Sequence, residues 1–349
     1  MIRLPLLRFA LTLSALPLVS CGETTPTQPG TSDEPSLAPS FALASNAWTN
    51  RARLPDIIPR GGLAAGVVNN SAGQPILYIF GGFFEDHPNG SIRAYDYSRN
   101  IWTTKASGVE RQSTNGVGRI GGKLYFSGGY TGGRDGTCCD ATRPTLFAYD
   151  PAADLLTRKA DMPQPTADGV TGVINGKLYV LAGSCSDDSP PFDCSEQGTS
   201  RRFYRYDPAT DTWTTLGPAP HPHAGGAAGV INGRFYVAGG GGNRRLDVYD
   251  PVTNVWRARA DLPEARGGTA GAVLQNKLYV IGGSGPSGNR AVLAYDPVTN
   301  KWQTRASLNV GRTSLAAASF VTSFGNPKIL AVGGFDGSEE PGANELYTP

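Results

Sequence analysis

Short apolar runs, each closed by glycine, by Asn-Gly or by Asp-Pro, recur along this chain from Trp48 to its end. In the clearest copy, Asn232-Gly233 is a tight turn and Arg234 to Ala238 is a strand that stops at the doublet Gly239-Gly240. Val248-Tyr249 ends the next strand at Asp250-Pro251, and Trp256 opens a third. Runs of this length bounded by turn residues predict strands, and Asn-Gly between them predicts a hairpin. The doublet, or an Ala-Gly stand-in, returns at Gly81-Gly82, Gly128-Gly129, Ala182-Gly183, Gly239-Gly240, Gly282-Gly283 and Gly333-Gly334. The steps are roughly 43 to 57 residues, near the period of about 50 of repeats that each form one small sheet.

The second half of the unit repeats as strictly. Tyr95, Tyr149, Tyr206, Tyr249 and Tyr295 are each followed seven residues later by Trp102, Leu156, Trp213, Trp256 and Trp302; the chain has five Trp, and the fifth is Trp48. Between them, Asp-Pro-x-Thr-Asn/Asp is a turn: Asp accepts from backbone amides, Pro presets the first dihedral, and Asn or Asp tolerates the last position. The sixth copy stops in mid-turn at Tyr347-Thr348-Pro349, while Ser45 to Thr49 supplies a turn end and a Trp strand that no preceding copy owns. The amino-terminal strand is therefore expected to complete the last sheet and close a ring of six four-stranded blades, because an open ring would leave strand edges unpaired.

Glycine stands at 46 of 349 positions, well above the usual share of about 7%. Much of it lies in Gly61-Gly62-Leu63-Ala64-Ala65-Gly66, Gly225-Gly226-Ala227-Ala228-Gly229 and Gly267-Gly268-Thr269-Ala270-Gly271. Six strands crowding round one axis need small side chains there. A phosphate-cradling role is excluded by context, since the runs are copied in several blades, open no helix and carry no Gly-Lys-Ser/Thr.

Ahead of the repeats, residues 1–20 carry Arg3 and Arg8 and the apolar run Phe9 to Val19. That run is too short to span a bilayer and reads as a signal peptide. Leu18-Val19-Ser20-Cys21 resembles a bacterial lipobox, which implies cleavage before Cys21, lipid on Cys21 and, with Gly22 following, sorting to the outer membrane where the cell has one. Residues 21–42 are Thr/Ser/Pro-rich and read as a semi-extended tether, leaving 43–349 as one domain.

The doublets, the Tyr-to-Trp spacing and the Asp-Pro turns together resemble the kelch repeat family over Trp48 to Pro349. The resemblance implies a six-bladed kelch-type β-propeller. Ala182 in the third doublet, Leu156 in place of Trp, and Tyr97 in place of Pro depart from the pattern. In such a ring the Asn-Gly and Asp-Pro turns share one face, and the long, dissimilar loops gather on the other. Function is expected on the long-loop face.

There, a position at the start of each inner strand repeats as Arg60, Arg111 or Gln112, Thr166, His223, Arg266 and Arg312. Arginines converging on a channel mouth would suit a carboxylate ligand through bidentate hydrogen bonds, or each would pair within the propeller. Phe83, Tyr130 and Phe335 follow doublets on the same face and are candidate ligand contacts. Glu85, Asp86, Asp168, Glu264 and Asp336 are candidate acids, of which Glu264, Asp168 and Asp336 are the principal catalytic candidates.

Cys138, Cys139, Cys185 and Cys194 fall in loops of two adjacent blades, and outside the cytoplasm they are expected to form disulfides in one of three connectivities. The spacing does not suit a metal, and His87, His221 and His223 are read as solvated loop residues. No cofactor fingerprint is present. A net charge of +2 without a basic run argues against nucleic acid.

Three functions follow. A monomeric, membrane-tethered binding module on the cell envelope, capturing a protein or acidic glycan, comes first. The chain also resembles kelch proteins of the sialic acid mutarotase type, implying an isomerase of an acidic sugar. A copper radical oxidase is third and lacks support, because its ligands need a domain beyond the propeller.

Overall fold

The computed structural model describes residues 45–55, 61–84, 87–88, 90–107, 116–131, 141–184, 199–336 and 342–349. Cys21, Arg60, Glu85, Asp86, Arg111, Gln112, Cys138, Cys139, Cys185 and Cys194 lie outside them, as does all of residues 1–42.

Six four-stranded antiparallel sheets follow one another in chain order, and no helix occurs among the described residues. Blade five shows the plan: Ala270–Leu274 innermost, then Lys277–Ile281, Val292–Asp296 and Lys301–Thr304 outermost. Blade four is Ala227–Ile231, Arg234–Ala238, Leu246–Asp250 and Val255–Ala258, and blade three begins with Val170–Ile174 and Lys177–Leu181. Inner strands of neighbouring blades pack side by side round the axis.

Glycine is required along these inner strands because the next blade approaches them. A Cβ at Gly172 would meet the Phe235 ring at 2.6 Å, and one at Gly66 would meet Leu124 and Val117 at 2.7 Å.

Blade six closes the ring as expected. Ala316–Val321, Pro327–Val332 and Asn344–Thr348 are joined on the outside by Ala47–Asn50, with Trp48 opposite Tyr347. Their ring centroids are 5.0 Å apart, matching the 5.1 Å of Tyr295–Trp302 and 5.2 Å of Tyr249–Trp256.

Two side-chain bonds recur through the seam. Each Tyr hydroxyl reaches the left-handed Asn or Asp of the following turn, as in Tyr95–Asn100, Tyr249–Asn254 and Tyr295–Asn300; in blade six Tyr347 reaches Asn46 at 2.9 Å, across the two termini. Each Trp donates its indole N–H to a carbonyl of the preceding blade: Trp302 to Ala260, Trp102 to Ala52, and Trp48 to Ala306 at 2.9 Å. Burying such an aromatic contributes about 1.5–3 kcal/mol, and the N–H partner avoids an unpaired buried donor.

The short-turn face carries a repeated ion pair: the basic residue after the first turn meets the Asp of the second. Lys123–Asp150 (3.2 Å) and Arg234–Asp250 (2.9 Å) are joined by Lys177–Asp207 and Lys277–Asp296.

Candidate functional site

On the opposite, long-loop face, the starts of all six inner strands surround a cavity of about 410 Å³. Its lining is mostly backbone and small side chains, including Asp168, Thr171, Ser184, Thr269 and Ser314, and among the described residues no Arg, Lys or His belongs to it.

Two of the four arginines at the repeated position lie among the described residues, and for those two the expectation of a side chain aimed at the mouth is corrected. Arg266 and Arg312 turn away from the axis into their own blades, with side chains 0% exposed. Arg266 donates to the carbonyls of Gly282 (2.9 Å), Gly283 (3.1 Å) and Gly288 (2.7 Å), and pairs with Glu264 at 2.6 Å. Arg312 donates to Gly333 (3.0 Å) and Ala343 (2.6 Å) and pairs with Glu345 at 2.9 Å. Burial holds the Arg312 pKa below its ordinary value, and the charge of Glu345 works against that.

His223, read from the sequence as solvated, is buried. Its Nδ1 faces the Gly239 carbonyl at 2.6 Å and its Nε2 faces Asp247 at 3.1 Å, so both ring nitrogens meet acceptors. His221 also reaches Asp247, at 2.8 Å. Burial pushes the Asp247 carboxyl up, but the two histidines outweigh it and hold it low. In blade three, Thr166 does the same task with a hydroxyl, accepting from the Gly183 N–H and donating to the Ser184 carbonyl.

Backbone bonds complete the role of this position. The amides of Gly129, Gly240 and Gly283 in one blade donate to the carbonyls of Thr166, Arg266 and Arg312 in the next. The repeated residue is thus a staple between glycine doublets, and the doublets adopt left-handed backbone to meet it, as at Gly282 (φ 64°) and Gly283 (φ 80°).

Two residues further on, every described copy is left-handed: Gly62, Asp168, Gly225, Gly268 and Ser314. This position forms part of a belt of backbone bonds round the mouth, Gly225 N–H to Asp168 O (2.8 Å), Ser314 N–H to Gly268 O (2.7 Å) and Gly62 N–H to Ser314 O (3.0 Å). Glycine takes that conformation freely; Asp and Ser are strained there. Asp168 (φ 52°) and Ser314 (φ 53°) both line the cavity, in blades three and six on opposite sides of the ring.

Asp168 differs from the other candidate acids. Its Oδ2 accepts from Ser184 Oγ at 3.0 Å, and the Tyr130 hydroxyl of blade two also hydrogen-bonds to it. Burial raises its carboxyl pKa despite those two donors. Burial, then the Asp168 charge, pushes the Tyr130 phenol up to about 12. Glu264 is tied up: burial pushes it upward, but Ser287 and Arg266 hold it below the carboxylate range. Asp336 sits close enough to Arg312 for its charge to act there. Phe335 is half-exposed and bridges by backbone to Thr313, while Phe83 is the last but one residue of the second strand of blade one, Pro75–Phe84.

The structure therefore brings together Asp168, Tyr130 and Ser184, and it separates them from Arg266, Arg312 and His223. Ser314 was missed from the sequence, although comparing the copies at the glycine position two after the staple would have singled it out beside Asp168.

A closed six-bladed propeller whose mouth, among the described residues, is lined by hydroxyls, small side chains and one raised carboxyl is the class of protein these features define. The chain belongs to the kelch-repeat family: residues 119–334 match the family model described as the KLHDC2/KLHL20/DRC7 Kelch-repeats domain. It is 32% identical over 154 residues to Kelch-like protein 38 of Rattus norvegicus, 30% over 191 to Kelch-like protein terF of Aspergillus terreus, and 25% over 198 to Beta-scruin of Limulus polyphemus. These alignments take in 42%, 52% and 55% of this chain and 22%, 39% and 20% of the relatives' own lengths. The solved structure of YjhT superposes with a TM-score of 0.66 at 18% identity, over 85% of this chain and 96% of that one. That likeness is one of fold.

Proposed function

We propose that this propeller is a binding module that captures its ligand, a protein or a glycan, in the mouth on the long-loop face. The observation that carries this is the cavity of about 410 Å³ with Asp168 on its wall, within the roughly 300–1,000 Å³ of ligand sites. The same reading includes lipid on Cys21, a tether over residues 21–42 and a place on the cell envelope, supported by the Leu18-Val19-Ser20-Cys21 motif.

A second reading, a sugar mutarotase, is favoured by the raised carboxyl of Asp168. Opening a sugar ring needs a proton delivered to the ring oxygen and one taken from the anomeric hydroxyl. A carboxyl whose pKa moves toward neutrality suits such exchange better than an ordinary one.

Glycan and peptide arrays followed by hydrogen-exchange footprinting test the binding reading. The expected result is protection at the inner-strand starts; protection confined to the Asn-Gly and Asp-Pro turns would end it. Exchange NMR on any sugar that binds tests the second reading, where accelerated anomer exchange lost in Asp168→Asn is expected, and binding without acceleration removes it.

A further inference from the structure

We propose that the mouth is a site for an uncharged, hydroxyl-rich ligand, a neutral mono- or disaccharide, gripped between Asp168 and Ser184 on one side, with Tyr130 hydrogen-bonded to Asp168, and Ser314 on the other. This rests on the reading that the mouth binds a ligand, and replaces the acidic glycan expected from the arginines.

Four observations converge on that ligand class. The described lining offers no cation, so among these residues a carboxylate or phosphate would meet the Asp168 carboxyl without a partner of opposite charge. The lining is hydroxyls, glycine and alanine with few larger apolar chains, which gives a large apolar ligand little to bury against. Ser184, Ser314 and Thr269 each donate and accept, and Asp168 accepts. A sugar hydroxyl, which does both, matches such a set; an ammonium donates only and would leave the serine and threonine donors unanswered. Finally, Asp168 and Ser314 line the cavity from opposite blades, and they are the two described copies of the position two after the staple that are not glycine. A strained polar residue where three other blades keep glycine is a cost to folding that a ligand contact explains.

Asp168 already accepts from Ser184 and Tyr130, and a carboxylate has about four acceptor directions, so it can take two more donors from vicinal hydroxyls. Binding through the ionised carboxylate weakens as pH falls through the pKa of Asp168. Burial places that transition above the range of an ordinary carboxylate. Among the described residues, Tyr130 is the titratable group hydrogen-bonded to it from blade two, and Ser184 in its own blade does not titrate.

The test is calorimetry of the full chain with glucose, maltose, sialic acid and glucosamine, for the parent, Asp168→Asn, Ser314→Gly and Lys277→Ala on the far face. Saturable binding of glucose or maltose is expected, weakened at least about tenfold by Asp168→Asn and severalfold by Ser314→Gly, unchanged by Lys277→Ala, and falling at acid pH in every protein except Asp168→Asn. Ser314→Gly restores the residue favoured at that backbone, so loss of binding there is not loss of folding. Tighter binding of sialic acid or glucosamine than of the neutral sugars overturns the ligand class. Neutral sugars bound equally by Asp168→Asn overturn the site. If arrays and footprinting find a protein seated in the mouth while all four sugars fail, the binding reading stands and this inference falls.

Discussion

Asp168 and Asp296 are the same side chain at opposite ends of the propeller. Asp296, in the turn of blade five, has Lys277 beside it and accepts from the Val298 N–H at 2.9 Å, and its carboxyl is held low, first by Lys277 and then by that amide. Asp150, Asp207 and Asp250 are held low the same way by Lys123, Lys177 and Arg234. Asp168 has no such cation among the described residues, sits where left-handed glycine is the easy choice, and is pushed up by burial. On the short-turn face, charge serves the fold alike in blades two to five. At the mouth it departs from the repeat and works against the fold, which marks a residue kept for another purpose.

The largest effect that sharpens this contrast concerns Arg312. Its removal leaves Glu345 buried and uncompensated and strips donors from the Gly333 and Ala343 carbonyls. Arg312→Ala is expected to destabilise by about 3–5 kcal/mol in urea unfolding, with any sugar affinity of the folded fraction unchanged. Lost affinity with stability intact would return the arginines to the mouth.

Much of this was legible in the sequence. The Tyr-to-Trp spacing and the stray Trp48 turn element state the six-fold closure, because a β-ring must repeat its outer contacts in every blade, and Trp48 makes the same bond to Ala306 that Trp302 makes to Ala260. The staple position was legible as a repeat but not in its direction. An arginine aimed at a ligand and one aimed at backbone carbonyls have the same spacing, and carbonyls leave no mark in a sequence. The partners Asp247 and Glu345, both two residues before the Tyr of their blades, were the clue available: a carboxylate inside an apolar strand implies a buried cation. Asp168 was found as an acid, but its setting needed coordinates, since Tyr130 comes from the neighbouring blade.

An intermediate effect separates the two aspartates by sign. A carboxyl raised in the folded state binds its proton more tightly there than in the unfolded chain. Stability therefore falls as pH rises from the ordinary carboxylate range through the folded value. Asp168→Asn removes that loss while keeping a residue tolerant of left-handed backbone. It is expected to melt higher than the parent at neutral pH, with the gap closing as pH falls below the ordinary Asp range. A variant that melts lower at neutral pH would mean that Asp168 serves the fold as Asp296 does.

The smallest effect is at Lys277. Its side chain is 27% exposed and that of Asp296 17%, so water and salt reach the pair and screen it. Lys277→Ala is expected to lower the melting temperature at pH 7 by at most about one or two degrees. Because Asp296 is held low in the folded state, the stability it supplies is present above the ordinary carboxylate range and disappears as pH falls through the folded value. The gap between variant and parent should close in acid, as it does for Asp168→Asn, but from the opposite side: one variant less stable than its parent at neutral pH, the other more. Calorimetric scans of both across the same pH series place the two carboxyls on one axis. A Lys277→Ala loss as large as that of Arg312→Ala would erase the distinction between a solvated pair that merely recurs and a buried one that holds a blade together.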